Sequence, residues 1–142
     1  METGLNQYLR DAFSLPEQDL NTYSPLTLAF LGDAVYSLII RTVIVGRGNT
    51  SPQKLHKRTA DLVKAKAQAQ LVDRIAPLLT EEEETIYRRG RNAHPATMAK
   101  HASMTEYRKA TGLEALVGYL YLTEQTDRMT ELIRTGLEEN PV

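Results

Sequence analysis

Apolar residues along this chain recur every three to four positions, the period of an amphipathic helix, and no segment alternates as a half-buried strand would. Leu5, Tyr8, Leu9 and Ala12 share one face of a first predicted helix. A polar stretch from Ser14 to Tyr23 follows. Ser24-Pro25 then reads as an N-cap with proline at the first helical position, opening a helix that runs to Val45, before Gly46-Arg47-Gly48-Asn49. Ser51-Pro52 repeats the signal and predicts one long helix to Ile75, with Leu55, Thr59, Leu62, Lys66 and Ala69 on a single stripe. Thr80 and Glu83 have capping-box spacing, and acidic residues fill the first turn, where the helix dipole favours them. That short helix ends near Arg88-Arg89-Gly90-Arg91-Asn92. Residues 91–103 hold Pro95, His94 and His101 without a clear period and read as a loop. Ser103 and Glu106 form a second capping box, opening a helix to Leu122, and Thr126 to Leu137 gives a last amphipathic helix through Met129, Leu132 and Ile133. The pattern predicts an all-α domain of six or seven helices joined by short loops, without internal repeats or low-complexity tracts.

Two stretches depart from amphipathic patterning. Residues 28–40, LAFLGDAVYSLII, and 111–122, TGLEALVGYLYL, are apolar nearly all round, as expected of helices buried inside a domain. Each carries one acid, Asp33 in the first and Glu114 in the second. A buried carboxylate is costly unless it is paired, hydrogen-bonded or bound to a cation. Small residues flank both acids, Gly32 and Ala34 in one case and Ala115 and Gly118 in the other, so the two helices can approach closely. Facing carboxylates with no cationic side chain in either segment would repel, and one would hold its proton. A divalent cation between them removes that conflict, and hard oxygen ligands suit Mg²⁺, with Mn²⁺ as a substitute. The alternative is that each acid is satisfied separately, by a capping N–H, a lysine, an arginine or a tyrosine. A di-iron bundle would need Glu-x-x-His motifs, and no glutamate stands three residues before His56, His94 or His101.

Composition narrows the classes. At 142 residues the chain is expected to form one domain over 1–142. It has no cysteine, which rules out disulfides and thiolate metal sites and fits a reducing cytoplasm. The N-terminus lacks a signal peptide's basic and apolar regions, and no apolar run is expected to reach the ~20 residues that span a bilayer. The net charge of −1 is an average. Residues 51–66 carry Lys54, Lys57, Arg58, Lys64 and Lys66 against Asp61, and residues 85–110 carry Arg88, Arg89, Arg91, Lys100, Arg108 and Lys109 against Glu106. Segments this basic are either solvated helix faces or grips for a polyanion.

LAFLGDAV, followed some eighty residues on by LEALVGYLYL, resembles the two metal-binding helices of the ribonuclease III catalytic domain. The likeness covers residues 23–122, and LHKRTADLVKAKAQAQ with RRGRNA resembles the Mini-ribonuclease III branch, which lacks a double-stranded-RNA-binding domain. Asp33 stands at the family's LGD aspartate and Glu114 at its EA glutamate. Leu26, Ala29 and Thr111 stand where the wider family has further acids, which implies fewer protein ligands and more water around the cation. The resemblance implies an endoribonuclease that cuts double-stranded RNA with Mg²⁺ held by Asp33 and Glu114, leaving 5′ phosphates and 3′ hydroxyls. It implies a homodimer, precursor 23S ribosomal RNA as substrate, a ribosomal protein as a possible helper, and no membrane partner. Arg88, Arg89, Arg91, Asn92 and Lys100 on the predicted loop, with Lys54, Lys57 and Arg58, become candidate RNA contacts. The rival class is a catalytically inactive relative that binds RNA without cutting it.

Overall fold

Seven α-helices carry the described residues, 4–93 and 103–137 of this computed structural model, and no strand occurs among them. They are α1 (Leu5–Ala12), α2 (Pro25–Gly46), α3 (Pro52–Val63), α4 (Ala65–Ile75), α5 (Glu81–Arg91), α6 (Met104–Leu122) and α7 (Thr126–Leu137), with 3₁₀ turns at Leu20–Thr22 and Ala76–Leu78. The start signals act as predicted. Ser24 Oγ accepts from the Thr27 N–H at 3.1 Å, and Ser51 Oγ accepts from the Lys54 N–H at 3.3 Å. Thr80 with Glu83 and Ser103 with Glu106 close reciprocal capping boxes. Residues 94–102, including His94, Lys100 and His101, lie outside the described residues.

Helix α6 is the axis of the domain: α2, α4, α5 and α7 all pack on it. Its apolar character is matched by burial, since Ala110 to Leu113, Ala115 to Gly118 and Leu120 are all withdrawn from solvent. Tyr36 and Ile40 from α2, Leu71 and Ile75 from α4, and Leu113, Leu116 and Leu120 from α6 fill the centre. Arg128 of α7 clamps the start of α5, donating from Nε and Nη2 to the two carboxylate oxygens of buried Glu83 at 2.8 Å each, and from Nη2 to the Leu78 carbonyl. Asn6 ties α1 to the α6–α7 turn by donating to Glu124 Oε1 at 2.7 Å.

Three expectations are corrected. The single helix predicted over 52–75 is two, because Lys64 adopts extended backbone at φ −65°, ψ 154°. A straight helix continuing the Leu55–Thr59–Leu62 stripe would have buried Lys66. The break leaves Lys66 exposed and turns Gln68, Ala69, Leu71, Val72 and Ile75 inward. Second, α2 is not buried all round. Leu28, Ala29, Gly32, Val35, Tyr36, Ile40 and Ile44 face the core, while Phe30, Leu38 and Val45 are exposed, as is Asp33. Third, at 22 residues α2 is long and apolar enough to cross a membrane by length and composition, contrary to the expected limit on apolar runs. Here it packs against α3, α5 and α6.

The decisive contact is the crossing of α2 and α6. A methyl group added at Gly32 would lie 1.7 Å from the Glu114 carbonyl oxygen, and one added at Gly118 would lie 2.1 Å from the Leu28 carbonyl oxygen. The two backbones touch directly, and any side chain at either glycine forces them apart. Overpacking of a core costs about 1–3 kcal/mol and occasionally more, and a clash with backbone on both helices leaves no flexible side chain to yield. Gly32→Ala is expected to destabilise by about 3 kcal/mol or more, lowering the melting temperature by roughly 10 °C. An alanine variant melting with the parent in a thermal scan would show that the helices separate at no cost.

Candidate active site

The glycine crossing sets where the two lone acids lie. Asp33 directly follows Gly32, and Glu114 supplies the carbonyl against which Gly32 packs, one turn before Gly118. Their side chains leave the crossing on the same side and line one open cleft of about 560 Å³, together with Phe30, Ser37, Tyr107 and Thr111. Asp33 stands at the exposed lip and Glu114 is half-buried below it. Neither acid forms a salt bridge among the described residues. Both acids thus face the same cleft. Burial first, then the hydrogen bond and charge of Asp33, push the Glu114 carboxyl up to about 8, while the Gln68 amide opposes the rise. Of the two arrangements open from sequence, facing acids or separately satisfied ones, the shared cleft favours the first.

The small residues divide their roles. Gly32 and Gly118 make the close approach, Ala34 is exposed, and Ala115 packs towards Gly90 of α5. Leu26, Ala29 and Thr111 line the same cleft as Asp33 and Glu114. Thr111 Oγ1 donates to the Tyr107 carbonyl at 3.1 Å. No group of three or more His, Cys, Asp or Glu side chains is placed to hold a metal among the described residues. The available donors are therefore two carboxylates and neutral oxygens. On α4, outside the lining of this cleft, Gln68 Oε1 is buried without a hydrogen-bond partner among the described residues. An all-oxygen set of this kind fits a hard cation such as Mg²⁺, which keeps several waters when protein ligands are few.

The basic residues separate into two regions. Arg88, Arg89 and Arg91 belong to the last turn of α5, with Asn92 as its C-cap, rather than to a loop. Gly90 does not turn the chain: it lies inside the helix, and a methyl group there would be 2.7 Å from Ala115 Cβ and 3.2 Å from the Thr111 carbonyl oxygen. The basic end of α5 is thus held at the level of α6 that carries Glu114. Arg88 pairs with Glu84 at 2.9 Å, and Arg91 lies over the Tyr87 ring, 5.7 Å from its centre, and donates to Asn92 Oδ1. Arg89 is exposed and makes no ion pair among the described residues. Lys54, Lys57 and Arg58 are exposed on α3, with Lys57 paired to Asp61. The intervening Leu55 and His56 border a second pocket with Arg41, Ile44 and Val45. At ~1.5 Å per residue that neighbourhood is more than ~10 Å further along α2 than Asp33. The end of α5 packs on α6 near Thr111 and Ala115, but none of its residues lines the acid cleft, and the start of α3 lies further along α2.

Sequence reasoning missed Gln68. Its signal was a polar residue in the inward row Gln68, Ala69, Leu71, Val72, which the prediction of one unbroken helix concealed.

The profile of the ribonuclease III domain family matches residues 26–125, which include both acids and both glycines of the crossing. A protein of Thermoanaerobacter sp. (strain X514) named Mini-ribonuclease 3 is 46% identical over 138 residues, 97% of this chain and 97% of that protein. The Mini-ribonuclease 3 of Enterococcus faecalis is 48% identical over 118 residues, covering 82% of this chain and 89% of its own length. The crystal structure of protein FN1578 from Fusobacterium nucleatum superposes with a TM-score of 0.75 at 35% identity, over 83% of this chain and 94% of that one.

The acid pair has a pH signature. Because Glu114 binds its proton more tightly folded than unfolded, stability in the absence of divalent cations falls as pH rises from the usual carboxylate range to about 8. The melting temperature of the EDTA-treated protein is expected to drop from roughly pH 5 to about 8, and Glu114→Gln should flatten that drop. Parallel profiles for parent and variant would remove Glu114 as the source.

Proposed function

The chain belongs to the Mini-ribonuclease 3 branch of the ribonuclease III family, and on that premise we propose that it is an endoribonuclease that hydrolyses double-stranded RNA with the help of a divalent cation. The observation that carries the reading is the meeting of Asp33 and Glu114, the lone acids of two apolar segments, in one open cleft at the glycine crossing. Two carboxylates with no cationic side chain paired to them among the described residues are a place for a cation, and Mg²⁺ or Mn²⁺ suits the oxygen donors. Such a cation would supply charge to the scissile phosphate and lower the pKa of the attacking water.

The chain's own groups do the rest. Glu114, whose burial raises its proton affinity, would have to release that proton to serve as a cation ligand, so cation binding and deprotonation would be linked. Asp33, at the lip, is reachable from a phosphate lying across the cleft. Thr111 lies one helical turn before Glu114 and offers its hydroxyl oxygen to water inside the cleft. Water adds to phosphorus, the bond to the ribose 3′ oxygen breaks, and that oxygen takes a proton, leaving a 5′ phosphate and a 3′ hydroxyl. The arginines ending α5 contribute positive charge near the same level of α6, where backbone phosphates of a duplex would pass. The exposed apolar residues Leu26, Phe30, Leu38 and Val45 fall along one face of α2, and we assign that face to an isologous homodimer that presents one cleft to each RNA strand. The terminal stem of precursor 23S ribosomal RNA is the substrate that membership of this branch points to, and the cysteine-free chain suits work in a reducing cytoplasm.

The test is cleavage of a labelled RNA duplex with and without Mg²⁺. Asp33→Asn and Glu114→Gln are each expected to lower the rate by about a thousandfold, the several kcal/mol a Lewis acid supplies at about 1.4 kcal/mol per tenfold. Fold, checked by circular dichroism, should be unchanged. Cutting retained by either variant would overturn the site. A gel shift without cutting by the parent would favour the inactive RNA-binding relative.

A further inference from the structure

Between Asp33 and Asp61 the sequence holds no acid, yet it holds Arg41, Arg47, Lys54, Lys57 and Arg58. These cations occupy the second half of α2, the connection after it and the start of α3, and α2 and α3 pack on each other. Asp33, Ser37 and Arg41 are spaced about one helical turn apart, so they form a row along one side of α2. Ser37 lines the acid cleft, and its Oγ accepts from Arg41 Nε at 3.1 Å. Arg41 is exposed and makes no ion pair among the described residues. It also borders the second pocket, a recess of about 170 Å³, together with Ile44, Val45, Pro52, Leu55 and His56. The Ser37–Arg41 hydrogen bond therefore joins the acid cleft to a recess inside the basic surface. Like charges gathered without acids repel one another in the empty protein, and a cation set against apolar walls draws anions more strongly than one in open water. The acid cleft itself repels a polyanion, so a strand lying across it needs a cation close by.

We infer that Arg41 binds a backbone phosphate of the RNA duplex beside the acid cleft, its Nε engaged by Ser37 and its remaining N–H groups left to grip the phosphate oxygens. This rests on the reading of the chain as an endonuclease for double-stranded RNA. An arginine suits the role because its planar fork meets a phosphate through two parallel hydrogen bonds. Eight residues of α2 place Arg41 ~12 Å along the helix from Asp33, so the phosphate it holds lies a few nucleotides from the one that is cut. Exposed Lys54 and Arg58 on α3 extend the same track away from the cleft. The contact carries no sequence information; it fixes where the strand lies on the protein.

The experiment is binding of a labelled RNA duplex in EDTA over a range of salt concentrations, for the parent, Arg41→Ala, Arg41→Lys and Arg134→Ala. The last removes the same charge from an exposed position on α7. Arg41→Ala is expected to weaken binding about tenfold at low salt and to reduce the slope of log affinity against log salt by about one. Arg41→Lys should keep the slope of the parent, and Arg134→Ala should change neither quantity. Parent-like affinity and slope in Arg41→Ala, or an equal loss in Arg134→Ala, would overturn the assignment. So would elution of Arg41→Ala at a smaller size than the parent in gel filtration, which would give the arginine to a subunit contact on α2 instead. A parent whose binding depends on Arg41 in this way but which cuts nothing in Mg²⁺ would leave the phosphate contact standing and remove the nuclease reading. A parent that binds no duplex, in EDTA or in Mg²⁺, would remove both.

Discussion

Where α2 crosses α6, backbone meets backbone. The space at Gly32 is already occupied by the Glu114 carbonyl oxygen, and the space at Gly118 by the Leu28 carbonyl oxygen. Most of what distinguishes this domain follows from that contact. It seats two apolar helices against each other more closely than side chains would allow. It places Asp33 one residue from one glycine and Glu114 one turn from the other. The remaining packing supports the crossing: α5 leans on α6 through Gly90 and Gly112, and Arg128 holds the start of α5 in place through Glu83.

Closeness comes at an electrostatic cost. Two carboxyl groups share a cleft with no arginine or lysine paired to them among the described residues, and burial together with the neighbouring Asp33 makes Glu114 keep its proton well above the usual carboxylate range. Such a pair weakens the folded state when it is ionised and empty, and is stabilised by whatever cation bridges it. The same feature is thus a liability for stability and a resource for chemistry, a combination typical of functional sites. Leu26, Ala29 and Thr111, at positions where the sequence resemblance leads one to expect further acids, line this cleft without a charge. A cation held there would be met largely by neutral oxygens and water.

Much of this was legible in the sequence, for physical reasons that differ by element. Helix starts were readable because Ser-Pro pairs and capping boxes are local devices, and Ser24, Ser51, Thr80 and Ser103 all act as N-caps. The acid pair was readable because a lone charge in an apolar run is anomalous, and the flanking glycines signalled a close approach. What failed depended on tertiary packing. Lys64 carries no breaker signal, and α3 and α4 part there to keep Lys66 in solvent and Leu71 in the core. Gly90 stood in a segment read as the helix end and a loop but lies inside α5 and serves helix contact. The apolar run of α2 was mistaken for full burial, although an outward row containing Phe30 and Leu38 is exposed. Gln68 was invisible until the break was known.

The central claim is that the glycine crossing makes Asp33 and Glu114 the two ends of one cation site. Crystals soaked in Mn²⁺ and measured at its absorption edge test it most directly. An anomalous peak between the two carboxylates, absent from crystals of Glu114→Gln, is the predicted result. A cleft without a peak, or a peak bound elsewhere with these oxygens uninvolved, would contradict it.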